Sequence, residues 1–232
     1  MDFNSLPINA RMHALRHSIT NYDEWVDVLY KDIDEVFATC LDQVEILRSL
    51  KEPQISSIIG SYLGMRFYTV GIDADKNGNA DLSVQSGSFR WIGEAKIISN
   101  DSNTDINYLF GGLKQLLTRY SKGQGNALDG GMLIYIKPNS RFHGETDVLA
   151  SWIQHVESNE QSYLEQHPCP NKKTNIVSKH KHPVTKNPYA VRHMPLTLLH
   201  LPEDGSGLEA KKYEEERAQY ELASIGPAKS GN

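Results

Sequence analysis

Between Glu52 and Lys137 the apolar residues change period in a fixed order, and that order constrains the fold more tightly than any composition figure. Glu52-Pro53 opens a helical stretch with proline in its first turn, carried by Ile55, Ile58, Ile59, Tyr62 and Leu63 to a stop at Gly64. Three strand-like runs follow, at 67–72, 80–84 and 89–98, separated by an Asp/Asn/Gly turn at 75–79 and a polar turn at 85–88. Thr104 or Asp105 can cap a second helix that reaches Ser121. Residues 130–137 (GGMLIYIK) are compact and apolar and predict a central strand. The order α-β-β-β-α-β predicts an α/β fold with a mixed four-stranded sheet flanked by helices.

The flanks extend this core. Residues 23–50 repeat Trp25, Val28, Leu29, Asp32, Val36, Leu41, Val44, Ile46 and Leu47 near every third and fourth position, which predicts one helical extension over 1–50. A further amphipathic helix is expected over 147–166, with Leu149, Trp152, Ile153, Val156 and Leu164 on its apolar side. The core domain then spans 51–202. From Gln166 to Pro202 there is no Asp or Glu, but there are Lys172, Lys173, Lys179, Lys181, Lys186 and Arg192. This basic segment is expected as loop at first, passing into a strand over 189–201. Residues 203–232 form an acidic tail, with a charged helix expected over 208–222.

The 232 residues, 39% hydrophobic, suit one domain with appendages. A net charge of -5 argues mildly against nucleic acid as partner, but the acidic excess lies largely on the tail. No apolar run is long enough for a membrane span, and the first twenty residues lack a secretory signal pattern. Cys40 and Cys169, two thiols far apart, fit buried structural roles better than a disulfide framework or a zinc site. A soluble cytoplasmic protein with no membrane partner is expected.

Two of the predicted strands carry Asp81 and, thirteen positions later, Glu94-Ala95-Lys96. Two carboxylates and a lysine at adjacent strand ends are costly in a half-buried sheet unless a cation gathers them. Magnesium held by one or two carboxylates keeps open positions for a phosphodiester and an attacking water. In that reading Asp81, Glu94 and the main-chain carbonyl of Ala95 bind the metal. Lys96, two positions after Glu94, projects to the same sheet face and orients the water or stabilises the pentacovalent charge. The bland alternative makes all three solvent-side residues of an ordinary hairpin.

Set in this element order, the stretch Asp81…Glu94-Ala95-Lys96 resembles the PD-(D/E)xK nuclease superfamily, over roughly residues 52–137. The resemblance implies a restriction-endonuclease-like αβββαβ core, with Mg²⁺ or Mn²⁺ as cofactor and DNA as substrate. Many members carry an acidic residue on the helix before the first strand, and Glu52 fits, although the helix dipole favours Glu there regardless. RecB-type members carry Q-x-x-x-Y on the later helix. Gln115 matches, whereas Tyr120 lies five residues on instead of four, and on an α-helix that rotates it away. Arg119 is a candidate phosphate contact. Lys172, Lys173, Lys179 and Lys181 are candidates for DNA-backbone contact, which gives affinity without sequence information.

The resemblance also implies a place in prokaryotic restriction or anti-phage defence, as a homodimer or as a subunit beside an ATPase, helicase or sensor, since no G-x-x-x-x-G-K-[ST] is present. The competing class is a non-catalytic nucleic-acid-binding or scaffold module that keeps the fold. Residues 73–81 match the first nine positions of an EF-hand loop, but Val84 stands where the bidentate glutamate belongs, and a turn between strands explains them better. His180, His182, His193 and His200 lack zinc spacing and are expected to be solvated or to face phosphate.

Overall fold

The computed structural model describes residues 18–72, 80–139, 144–169 and 172–199, with isolated positions 10, 14, 217 and 218. Its centre is a mixed sheet of seven strands flanked by helices. Helix α1 (Tyr22–Leu41) starts where the Asn21 side chain accepts from the N–H groups of Asp23 and Glu24 at 2.9 and 3.2 Å. A short α2 (Val44–Leu47) and then α3 (Glu52–Met65) follow. The strands β1 (Thr69–Ile72), β2 (Leu82–Ser86) and β3 (Phe89–Ile98) form an antiparallel meander. Next come α4 (Asn103–Gln115), a π-helical turn at Leu116–Tyr120, β4 (Asp129–Ile136), α5 (Glu145–Asn159), β5 (Tyr163–Pro168), β6 (Ile176–Lys181) and β7 (Pro188–Thr197).

The sheet order is β1-β2-β3-β4-β7-β6-β5, so the four strands expected in the core are neighbours, the strand expected over 189–201 is β7 beside β4, and β6 and β5 complete the sheet. Strand β4 runs parallel to both β3 and β7 and is buried on both faces, which is why it reads as an uninterrupted apolar run. On one face Trp91, Ala95, Leu133, Tyr135 and Met194 pack against Trp25, Leu29, Ile33, Ile55 and Ile59 from α1 and α3. On the other, Ile92, Met132, Ile134 and Val191 meet Leu109, Leu113, Trp152 and Val156 from α4 and α5. Full burial of each such side chain contributes about 1.5–3 kcal/mol.

Several expectations are corrected. The helix expected over 23–50 breaks at Asp42-Gln43, where Gln43 N donates to Cys40 O at 3.0 Å and tightens the last turn of α1. Leu41 and Ile46, counted on its apolar face, are consequently exposed. The first strand starts at Thr69 because Phe67 sits at φ 68. The helix expected over 147–166 ends at Asn159: the Glu160 carboxylate accepts from Ser162 N, Tyr163 N donates to Glu160 O, and the chain turns into β5 with Leu164 exposed. Residues 176–181, expected as loop, are strand β6. The helix expected over 208–222 lies outside the described residues apart from position 217–218. Both cysteines are buried and free, as expected.

Three of the four histidines overturn their expectation, and His200 lies outside the described residues. His180, His182 and His193 are buried, not solvated. Trp152 Nε1–H donates to His193 Nδ1 at 3.0 Å, and Ser178 Oγ stands 2.8 Å from His193 Nε2 and 2.7 Å from His180 Nε2. With Nδ1 of His193 accepting, its Nε2–H donates to Ser178, whose hydroxyl donates onward to His180; this tautomer follows from the network. Burial keeps both rings neutral, lowering His193 to about 3 and His180 to about 4. His182 Nδ1 accepts from Thr185 N and its Nε2 meets Ser121 Oγ at 3.0 Å, fastening the β6–β7 turn to the end of the π-helical turn. Pairing of β6 with β7 puts Ser178 beside Val191 and close to His193, so one hydroxyl bridges His180 and His193 while His182 stands apart.

Candidate functional site

The site grows from a mismatch in strand length. Strand β2 begins at Leu82, opposite Gly93, while β3 continues to Ile98. Beyond Gly93 the β2-side amides of β3 have no strand partner and need other acceptors. Asp81 Oδ2 accepts from Ala95 N at 2.7 Å, and Glu52 Oε2 accepts from Ile97 N at 2.7 Å. Asp81 is the residue just before β2, and Glu52 stands in the first turn of α3, set by a start in which Lys51 N donates to Gln54 Oε1 at 2.8 Å. Two half-buried carboxylates are thereby held by main-chain N–H groups along one side of β3.

Glu94 and Lys96 alternate with Ala95 and so project to the α4 face, as expected. Lys96 Nζ donates to Glu94 Oε1 at 2.6 Å and to Ala95 O at 2.8 Å. Glu52 Oε1 lies 3.8 Å and Asp81 Oδ2 3.9 Å from the same ammonium. Three carboxylates thus surround one cation, leaving a formal excess of two negative charges when all are ionised. Glu94 Oε2 is buried with no hydrogen-bond partner among the described residues. An orphaned carboxylate oxygen of this kind is costly and marks a place where another cation or donor fits.

The electrostatics follow from burial. Desolvation first, then the Asp81 charge, raises Glu94 to about 7, against the pull of the Lys96 hydrogen bond. Burial likewise raises Glu52, with Lys96 and the Ile97 N–H opposing. Burial alone would lower Lys96, but the hydrogen bond and charge of Glu94, then Glu52 and Asp81, lift it above its ordinary value. The site therefore holds a firmly protonated ammonium beside a carboxyl group able to exchange its proton near neutrality.

Two residues not singled out in the sequence complete the site. Gly112 of α4 faces Lys96: a Cβ there would meet Lys96 Cε at 3.0 Å, Lys96 Cγ at 3.1 Å and Met132 Cε at 3.2 Å. Tyr108, one turn earlier, has its ring centroid 5.5 Å from Lys96 Nζ and its hydroxyl in a long 3.5 Å contact with Glu52 Oε2. The available signal was Gly111-Gly112 inside a helix, where each glycine costs about 1 kcal/mol relative to alanine and calls for a packing or functional reason. Gln115 stands three residues beyond Gly112, one turn along the helix and half-buried.

The helix then changes character. Leu116–Tyr120 is π-helical, with Ser121 N donating to Leu116 O at 3.0 Å. An i→i+5 bond absorbs one extra residue per turn. The rotation assumed for Tyr120 on an α-helix therefore does not apply, and a spacing of five returns to the side that four would reach. Tyr120 itself is half-buried against the α4–α5 core.

The basic candidates lie elsewhere. Arg119 is exposed on the π-helical turn, over the Tyr120 ring at 5.8 Å. Lys179 and Lys181 are on β6, three strand spacings from β3, roughly 14 Å across the sheet. Lys179 pairs with Glu165 at 2.8 Å. Lys172 approaches Asp34 at 3.7 Å and lies over the Phe37 ring, while Lys173 is exposed. Arg192 is fully buried: it donates to Tyr30 O at 3.1 Å and pairs with Asp34 Oδ2 at 2.7 Å. The structure brings Glu52, Asp81, Glu94 and Lys96 together and leaves the lysines of 172–181 apart from them.

Among the described residues no three His, Cys, Asp or Glu side chains stand close enough to share one metal ion, because the carboxylates spread around Lys96. The EF-hand-like stretch lies mostly in 73–79, outside the described residues. No helix among the described residues is long and apolar enough to cross a membrane. Compared with family models, curated proteins and solved structures, the chain matches none.

Proposed function

We propose that the protein is a metal-dependent nuclease of the PD-(D/E)xK type that hydrolyses phosphodiester bonds in DNA. The observation that carries this reading is the gathering of Glu52, Asp81 and Glu94 around Lys96, with Glu94 Oε2 buried and unpartnered. The αβββαβ order and the four neighbouring strands are those expected of a restriction-endonuclease-like core. Hard oxygen donors and the excess negative charge suit Mg²⁺ or Mn²⁺. Asp81, Glu94 and the Ala95 carbonyl would hold the ion, which supplies an activated water and neutralises charge on the phosphoryl oxygens.

The chain's own groups do the rest. Asp81 and Glu52, anchored on the Ala95 and Ile97 amides, keep their positions beside β3 while the ligand enters. Glu94, raised to about 7 by burial and the Asp81 charge, would give up its proton to hold a cation. Lys96 remains protonated and faces the phosphoryl group, orienting the incoming water or stabilising the pentacovalent charge. Attack forms one P–O bond and breaks another, and the leaving oxygen takes up a proton. Gln115, one turn along α4 from Gly112, would support the site, with Arg119 as a further phosphate contact and DNA as partner, and a second copy or an ATPase, helicase or sensor subunit as assembly options in a defence system.

A second reading, a nucleic-acid-binding module that cuts nothing, is favoured by one observation: Lys96 already neutralises part of the carboxylate cluster. Plasmid, linear and single-stranded DNA incubated with Mg²⁺, Mn²⁺ or chelator separate the two. Metal-dependent cleavage that disappears in Glu94→Ala and Lys96→Ala supports the nuclease, and equal cleavage by both variants refutes this site.

A further inference from the structure

The Tyr108 ring is held at the rim of the acidic cluster with about half its surface exposed, and nothing said so far uses it. Tyr108 is 48% exposed on a helix whose next residues toward the core, Leu109 and Leu113, are fully buried. The half-exposed ring leaves a flat apolar face available at the edge of the site. The ring is also constrained: Lys96 Nζ lies 5.5 Å from its centroid and its hydroxyl reaches toward Glu52 Oε2. A ring fixed in advance loses little entropy when a second planar group stacks on it.

The surroundings define the shape of what fits. One turn on, Gly111 is exposed and the space where its Cβ would stand is open, with no atom within 4 Å. Bulky strand backbone can approach the helix there without meeting a side chain. Lys114, a further turn along and exposed, lies over the Phe110 ring at 4.8 Å and borders that surface with positive charge. Aromatic face, bare backbone and cation in sequence match base, sugar and phosphate of one strand.

We propose that Tyr108 is a base-stacking platform, and that the site takes an unpaired nucleotide of single-stranded DNA next to the phosphate addressed by Lys96. This rests on the nuclease reading above and narrows its substrate. In duplex DNA each base face is covered by its neighbours, so a ring at this distance from the ammonium has no face to stack on unless the base is extruded. Base–aromatic stacking predicts a loss of roughly 5- to 150-fold in affinity on removal of the ring.

Fluorescence anisotropy in chelator, with labelled oligodeoxythymidine and a labelled duplex of equal length, reads binding without cleavage. Tyr108→Ala weakens single-strand binding by that factor and leaves duplex binding unchanged, whereas Tyr108→Phe and Tyr108→Trp bind the single strand like the wild type. With Mg²⁺ the same Tyr108→Ala variant raises KM for single strands more than it lowers kcat. Wild-type affinity in Tyr108→Ala overturns the platform, and so does an equal loss in Tyr108→Phe, which assigns the effect to the hydroxyl contact with Glu52. Metal-dependent cleavage lost in Lys96→Ala, with binding indifferent to Tyr108, sinks the platform alone. Absence of both binding and cleavage on every DNA sinks the nuclease reading with it.

Discussion

Adjacent glycines on α4 give the sharpest test of the site's geometry, because the same substitution at neighbouring positions should have opposite consequences. At Gly111 the Cβ of alanine enters open space, so Gly111→Ala gains the helix preference alone, about 1 kcal/mol. For a chain of this size that raises the unfolding midpoint by about 2–4 °C. At Gly112 the new methyl arrives 3.0 Å from Lys96 Cε, 3.1 Å from Lys96 Cγ and 3.2 Å from Met132 Cε, each a few tenths of an ångström too close. Overpacking of this kind costs about 1–3 kcal/mol, so the net effect is about 0–2 kcal/mol of destabilisation. The displaced Lys96 also loosens its 2.6 Å bond to Glu94. Since that bond lowers the Glu94 pKa, Glu94 should titrate still further above about 7 in Gly112→Ala. Urea unfolding of both variants, with carboxyl-carbon NMR titration of Glu94, measures the two effects separately. Equal stabilisation by both alanines, with an unchanged Glu94 titration, would refute the packing of Gly112 against Lys96.

The raised Glu94 predicts pH behaviour with a definite sign: its folded pKa exceeds the unfolded value, so its contribution to stability is present below about 4.5 and is lost as pH rises through about 7. Glu94→Gln should remove about 3 kcal/mol of pH dependence between these limits, read from urea unfolding at several pH values, and metal affinity measured by titration calorimetry in the wild type should climb as pH approaches 7. His180 and His193 work in the opposite sense, because depressed folded pKa values give stability that is present above about 6.5 and lost as pH falls toward about 4 and about 3. Replacing His193 by Gln should therefore flatten the acid limb by about 1.4 kcal/mol per pH unit over that window, and an unchanged limb would contradict the neutral relay. Asp34→Ala leaves the fully buried Arg192 without its carboxylate and should cost about 3–5 kcal/mol in chemical denaturation, although Arg192 belongs to a segment that looks like a nucleic-acid patch.

The legible parts of the fold are those decided by local pattern. The π-helical turn apart, the second helix and the Glu94–Lys96 alternation express periods of 3.6 and 2, and the central strand shows as an unbroken apolar run, all of which a sequence displays directly. The parts that were not legible depend on pairing across distance. The His193–Ser178–His180 chain exists because β6 pairs with β7, and Arg192 is buried because Asp34, far back on α1, receives it. The π-helical turn hid for another reason: a count of residues per turn presumes the backbone hydrogen-bond pattern it is meant to reveal. Tyr108 hid because an aromatic at helical spacing reads as core, and only its exposure distinguishes it.

Strand β2 stops one pair short of covering Asp81's neighbours, and this sets a structural exclusion at the edge of β3. Any chain segment that extended the β1–β2 side of the sheet past Gly93 would need the Ala95 and Ile97 amides that Asp81 and Glu52 now occupy. The two carboxylates thus occupy the main-chain donors that any further strand pairing would need, and place charge beside them. Truncating both to alanine would bare two main-chain donors and invite further strand pairing. Asparagine at 81 and glutamine at 52 keep an acceptor on each amide, and so separate loss of charge from loss of the acceptor.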